Sequence, residues 1–196
     1  GVINALNMAD GVDGLSGSLS FVSLALLAVI AYSASQAEYL GVTLALLGAV
    51  AGFLAFNLRC CGRRRAHVFM GDSGSTVLGF LFACLFIGLS QGEDRAMAPV
   101  IALWLFALPL FDTTATMVRR AWLRRSPVRP DRSHLHHLLL DAGFTVPQGV
   151  AVMTALHLLL GLVGLAGWHF ELPERFMFAA FIATFAFFDA FRQQNV

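Results

Sequence analysis

Asn4, Asn7, Asp10 and Asp13 recur at every third position of the run Asn-Ala-Leu-Asn-Met-Ala-Asp-Gly-Val-Asp-Gly-Leu at 4–15. Amides and carboxylates this close together suit a divalent cation or the polar groups of a substrate, provided the backbone brings them to one side. A continuous helix turning about 100° per residue would set Asn4 and Asp13 on opposite sides. A helix that ends near Asp10 and opens into a loop at Gly11, Gly14 and Gly17 can converge all four. We therefore expect a helix end facing a polar pocket.

Two more stretches carry chemistry. Val-Phe-Met-Gly-Asp-Ser-Gly-Ser at 68–75 places Asp72 at the start of an apolar run, where free N–H groups at a helix N-terminus favour phosphate. A plain helix cap by Asp72 or Ser73 accounts for the same residues. Arg63, Arg64 and Arg65 just before it add the positive field an anion site needs. The other stretch reads Arg129-Pro-Asp-Arg132-Ser-His134-Leu-His136-His137. Ser133 as N-cap and Gly143 as C′ residue predict a short helix over 134–142, with His134 and His137 on one face and His136 turned away. A zinc site lacks a Cys or carboxylate partner at ligand spacing, and three His beside two Arg and one Asp suit phosphate handling better.

Asp112, in Leu-Pro-Leu-Phe-Asp-Thr-Thr at 108–114, lies roughly 10 Å below the end of its helix at a rise of 1.5 Å per residue. An ionised Asp at that depth costs about 2.5–3.5 kcal/mol, so it should face protein or a water-filled cavity. Pro109 is expected to kink the helix one turn earlier. His157 and Asp189 are expected to hydrogen-bond between helices.

The elements that must hold these residues are membrane helices. Of 196 residues, 58% are hydrophobic and 13% charged, 18 are Phe, and the mean hydropathy is +0.73. Apolar runs at 18–35, 38–56, 74–90, 98–118, 149–170 and 174–192 each approach the length needed to cross ~30 Å of hydrocarbon. The expected fold is an all-α, polytopic transmembrane helical bundle of about six spans. Residues 1–196 form a single membrane-embedded domain with no repeat and no soluble module. The basic residues number 13, and all are Arg. Arg59, Arg63, Arg64, Arg65, Arg119, Arg120, Arg124, Arg125, Arg129, Arg132 and Arg192 fall on one side of the array; Arg95 and Arg175 fall on the other. The Arg-rich side should be cytoplasmic, and every motif lies there. Cys60, Cys61 and Cys84 suggest neither a CxxC metal site nor a disulfide framework. The start Gly-Val-Ile has no basic n-region and no cleavage pattern, so no signal peptide is expected.

Taken together, the 4–15 motif, Phe-Met-Gly-Asp-Ser-Gly-Ser at 69–75 and Arg-Pro-Asp-Arg-x-His-x-His-His at 129–137 resemble the polyprenyl-phosphate N-acetylhexosamine-1-phosphate transferases. The His-x-His-His form is similar to the bacterial undecaprenyl-phosphate GlcNAc-1-phosphate branch. The resemblance implies an enzyme of the bacterial inner membrane with its active site facing the cytoplasm. Its reaction would be transfer of GlcNAc-1-phosphate from UDP-GlcNAc to undecaprenyl phosphate, giving GlcNAc-diphosphoundecaprenol and UMP, the first step of a cell-envelope polysaccharide. It further implies Mg²⁺, with Mn²⁺ as a substitute, held by Asp72 and Asp10. Asp10, Asp13, Asp72 and His134 would be catalytic. Asn4, Asn7, Phe69 (stacking on uracil), Asp112, Arg129, Arg132, His136 and His137 would bind substrate. The expected partners are a UDP-sugar, undecaprenyl phosphate and membrane lipid; a homodimer is compatible, and no nucleic acid is expected.

One element of that family is absent here: an adjacent Asp-Asp pair on an earlier cytoplasmic loop. With six spans against the family's ten or eleven, the chain resembles the C-terminal half of such an enzyme, and alone it is expected to be inactive or very weak. Two alternatives stand beside this expectation. The same chemistry could act on another UDP-N-acetylhexosamine or on UDP-MurNAc-pentapeptide, or the chain could be a transporter with an ion path through Asp112, His157 and Asp189. A transporter should concentrate polar groups near the midplane, whereas this chain places most of them at span ends.

Overall fold

The computed structural model describes residues 1–59, 63–122 and 134–194, and among them only helices occur. The elements are α1 (Val2–Ala9), α2 (Leu15–Ser33), α3 (Ala37–Asn57), α4 (Gly71–Ser90), α5 (Pro99–Leu105), α6 (Ala107–Trp122), α7 (Leu135–Asp141), α8 (Val146–His169) and α9 (Glu174–Gln193). Among the described residues, α2, α3, α4 and α8 are each long and apolar enough to cross a membrane, and α5 and α6 together supply a fifth span bent by 84°. The sixth expected run, α9, has 20 residues, but Glu174, Arg175, Asp189 and Arg192 at its ends make it more polar than the others. The chain is a multi-pass membrane protein by these helices. Phe80, Ile87, Leu159 and Phe187 stay exposed on their outer surfaces, where hydrocarbon replaces water as solvent.

Side-chain bonds sort the helix ends into two groups. At one end Gln36 Nε2 donates to the Asp94 carbonyl at 2.9 Å, Trp168 Nε1 donates to the Ala96 carbonyl at 2.8 Å, and Arg95 pairs with Glu174 at 3.3 Å. The starts of α2, α4, α7 and α8 and the ends of α3, α6 and α9 lie at the other end. The described residues of all three sequence motifs fall there, and Glu93 and Asp94 do not.

The break between α5 and α6 has a local cause. Pro109 has no N–H to bond the carbonyl four residues back, at Leu105. The Ser23 hydroxyl of α2 supplies that missing donor at 2.8 Å, and the same oxygen lies 2.9 Å from His157 Nε2 of α8. The expected kink is therefore present, and His157 is the interhelical partner expected of it. Asp189 is not: it accepts from Gln193 Nε2 at 2.6 Å and faces Arg192 at 3.7 Å, both on its own helix.

Close packing brings α1 onto α4. A β-carbon at Gly79 would stand 2.7 Å from the Ile3 Cα, so glycine alone allows the two backbones to approach this far.

Candidate functional site

Helix α1 ends at Ala9 with Asp10 as its C-cap, and the chain turns through Gly14 at φ 86° into α2. The left-handed conformation at Gly14 costs a side-chain-bearing residue energy that glycine avoids. Asn57, the last residue of α3 and 3% exposed, accepts the Gly14 N–H at 2.7 Å and donates from Nδ2 to the Val68 carbonyl at 2.7 Å. One buried amide thus fixes two of the motif segments to each other. Sequence reasoning missed Asn57; its signal was a polar side chain ending an apolar run. Gly17, expected in the loop, lies inside α2 instead, packed against Leu54 of α3.

The four polar residues of the first motif do not all converge. Asn7 donates to Asp72 Oδ1 at 3.3 Å and to Ser75 Oγ at 3.0 Å. Asp10 accepts the Ser16 hydroxyl at 2.6 Å and the Gly71 N–H at 3.1 Å. Those two residues meet the start of α4. Asp13 turns the other way, taking Arg59 Nε at 2.7 Å and the Ala66 N–H at 3.0 Å on one oxygen. Asn4 is exposed on α1 and makes no hydrogen bond among the described residues. The cause is the turn at 11–14, which redirects the backbone before Asp13 is reached.

Asp72 is exposed in the first turn of α4 and makes no capping hydrogen bond, nor does Ser73, so the plain-cap explanation of this motif is not realised. Phe69, 74% exposed, borders an apolar groove of about 510 Å³ between α3 and α4, lined also by Val50, Phe53 and Val77.

Electrostatics separates the carboxylates. Asp10 is pushed up from its ordinary pKa, foremost by burial; the Ser16 and Gly71 bonds oppose this, and the charges of Asp72 and Asp13 add to it. For Asp13 burial also acts upward, but the Ala66 N–H and the Arg59 bond and charge outweigh it, and the net shift is down. Asp13 is thus already balanced by a cation, whereas Asp10 stands in the negative field of Asp72 and Asp13 with no cation beside it among the described residues. Among the described residues no three His, Cys, Asp or Glu side chains gather as a metal cage. Mg²⁺ typically needs only one or two carboxylates plus substrate phosphate oxygens, so the Asp10 and Asp72 donors fit it.

The histidines join from the third motif; Arg129, Arg132 and the expected cap Ser133 lie outside the described residues. Helix α7 begins at Leu135 with His134 as N-cap in extended conformation, φ −68° and ψ 148°, and closes at Gly143 with φ 91°. His136 is not turned away. Its ring stacks on His134 with centroids 5.7 Å apart and planes within 3°, and a β-carbon on Gly11 would come 3.2 Å from His136 Nε2. His137 packs on His136 at 4.2 Å between centroids. Asp112 of α6, 7% exposed, accepts the Leu135 N–H at 2.8 Å and lies 2.8 Å from His134 Nδ1.

Burial, then the neighbouring His137 and His134, lower the His136 pKa from 6.5 to about 4, with Asp112 opposing. His136 is therefore neutral at pH 7 and acts through hydrogen bonds rather than charge. Between pH 6.5 and 4 the unfolded chain takes a proton that the folded one refuses, so stability is full above about 6.5 and falls as pH drops toward 4, by up to about 3 kcal/mol. Thermal unfolding followed across that range should show His136→Gln with a flatter pH dependence than the unaltered protein; equal slopes would contradict the assignment.

Residues 1–90 match glycosyl transferase family 4. Over 184 residues, 93% of this chain, it is 39% identical to the undecaprenyl-phosphate alpha-N-acetylglucosaminyl 1-phosphate transferase of Yersinia pestis, covering 50% of that protein. The protein of the same name from Escherichia coli K12 is 40% identical over 184 residues with the same shares. That from Pasteurella multocida is 39% identical over 143 residues, 73% of this chain and 40% of that protein. The chain spans about half the length of the curated relatives it matches.

Proposed function

We propose, from the match of residues 1–90 to glycosyl transferase family 4, that the protein transfers GlcNAc-1-phosphate from UDP-GlcNAc to undecaprenyl phosphate, releasing UMP. An acceptor phosphate oxygen forms a bond to the β-phosphorus of the nucleotide sugar as the bond from that phosphorus to the UMP oxygen breaks. The observation that carries this reading is the meeting of three motif segments at one membrane face. Asn7 bonds Asp72, Asp10 bonds Gly71, and His136 lies against Gly11.

Each group has a task in this reaction. Asp10 and Asp72 would hold Mg²⁺, and Asn7, bonded to Asp72 and Ser75, orients the Asp72 carboxylate. Bound there, Mg²⁺ would neutralise charge on the pyrophosphate. Asp13, tied to Arg59, keeps the loop of 11–14 in place against residue 66. His134 and His136 present ring nitrogens to phosphate oxygens, joined in our reading by Arg129, Arg132 and His137. Phe69 offers an exposed aromatic face to the uracil. The site faces the cytoplasm of the inner membrane, since Arg59, Arg63, Arg64, Arg65, Arg119, Arg120 and Arg192 lie at its end of the bundle and Arg95 and Arg175 at the other.

The test is an assay of the protein as its gene encodes it, with undecaprenyl phosphate, Mg²⁺ and UDP-GlcNAc. Equimolar UMP and lipid-linked GlcNAc are expected. Turnover of UDP-MurNAc-pentapeptide in place of UDP-GlcNAc would move the substrate, and absence of UMP with every UDP-sugar would overturn the reading.

A further inference from the structure

The C-terminal helix reaches the histidine loop through a buried ionic chain. Arg192 of α9 is 1% exposed and donates from Nη1 to Thr116 Oγ1 at 2.7 Å. The same nitrogen stands 3.8 Å from Asp112 Oδ1. Asp112 and Thr116 are four residues apart on α6, so they share one face and present a single polar patch to α9. The same Oδ1 takes the Leu135 N–H, and Asp112 Oδ2 meets His134 Nδ1, each at 2.8 Å. An arginine cannot shed its charge when buried; Asp189 Oδ1 stands 3.7 Å from Arg192 Nη2 and Asp112 Oδ1 3.8 Å from its Nη1, and an ionised Asp112 is one of the carboxylates that make this burial tolerable.

We propose that Asp112, held by Arg192 and Thr116, is a positioning residue that fixes the proton of His134 on Nδ1 and leaves Nε2 as an acceptor for a phosphate O–H. An ionised carboxylate has no proton to give, so both of its close contacts must donate. The Leu135 N–H does so by nature, and His134 does so only as the Nδ1–H tautomer. His134 sits in extended backbone ahead of α7, where its ring is free to rotate, and the Asp112 bond together with the stack on His136 removes that freedom. This assignment rests on the transferase reading for its role in turnover, though not for the tautomer.

Asp112→Asn tests both parts. Its single amide oxygen can still take the Leu135 N–H, while its NH₂ faces His134 Nδ1 and drives the proton to Nε2. In ¹⁵N-histidine-labelled protein, the unaltered His134 should give the Nδ1–H signature and the variant the Nε2–H signature. In the transferase assay the variant should lose at least about 100-fold in kcat with KM for the UDP-sugar within about threefold. Thr116→Val, isosteric and in contact with Arg192 rather than substrate, should lower kcat about tenfold, and it carries the test if Asp112→Asn does not accumulate. An Nε2–H signature in the unaltered protein, or full kcat in both variants, would overturn the proposal. The expected tautomer change in a protein that turns over no UDP-sugar would uphold the assignment of the proton and overturn the transferase reading instead.

Discussion

Asp72→Asn is expected to lower transferase turnover by at least about 10³-fold, some 4 kcal/mol of barrier, in a protein that still folds. The side chain is exposed, and its one described contact is the Asn7 amide at 3.3 Å, which an asparagine oxygen can also accept. Nothing structural is lost with the charge. What is lost is half of the negative pair that we assign to the cation, at the point where pyrophosphate charge has to be balanced. The same change removes a repulsion from Asp10. A variant whose thermal midpoint is unchanged or higher while UMP release collapses would match this; one retaining more than a tenth of the activity at saturating Mg²⁺ would mean that Asp72 does not hold the metal.

Gly79→Val should cost about 100-fold in kcat without touching any polar group of the site. The added β-carbon would meet the Ile3 Cα at 2.7 Å and Ile3 Cγ1 at 3.4 Å. A backbone atom cannot rotate aside, so α1 as a whole must shift. One turn nearer the surface, Ser75 and Asn7 are four residues from Gly79 and Ile3 respectively, and their bond is 3.0 Å long. A displacement of about 1 Å breaks it and carries Asp10 away from Gly71, and misplacement on that scale costs about two orders of magnitude in rate. Overpacking itself should cost about 1–3 kcal/mol of stability. Turnover measured beside the melting temperature separates the two effects. A folded variant with kcat near normal would show that the closeness of α1 and α4 does not matter to the site.

The three motifs were legible because each stands at the end of an apolar run, and hydropathy alone fixes where those runs meet water. Their mutual contacts follow from that placement, with α1 and the start of α4 at one membrane face. The break near Pro109 was legible too, since a missing N–H is a local fact. What escaped has a common cause in partners distant along the chain. Asn57 reads as an ordinary polar helix end until the turn at Gly14 is placed beside it. Arg192 counted in sequence only as a charge marking one side of the membrane, and its burial depends on Thr116 across the bundle. The orientation of His136 failed for a narrower reason. Helical periodicity was counted from His134, but that residue is extended, so the helix and its faces begin one position later. Asp13 was expected beside Asp10 because spacing in sequence implies proximity only while the backbone keeps its direction.

The Arg192 contact also imposes a delay on biogenesis. Thr116 and Arg192 are 76 residues apart, so a ribosome working at ~5–20 residues per second delivers α6 roughly 4–15 seconds before the arginine emerges. During that interval Asp112 is in the insertion machinery or the bilayer without its C-terminal cation. The emergence of the end of α9 is therefore the step that gives the buried Asp112, already bonded to His134 and Leu135, the arginine beside it.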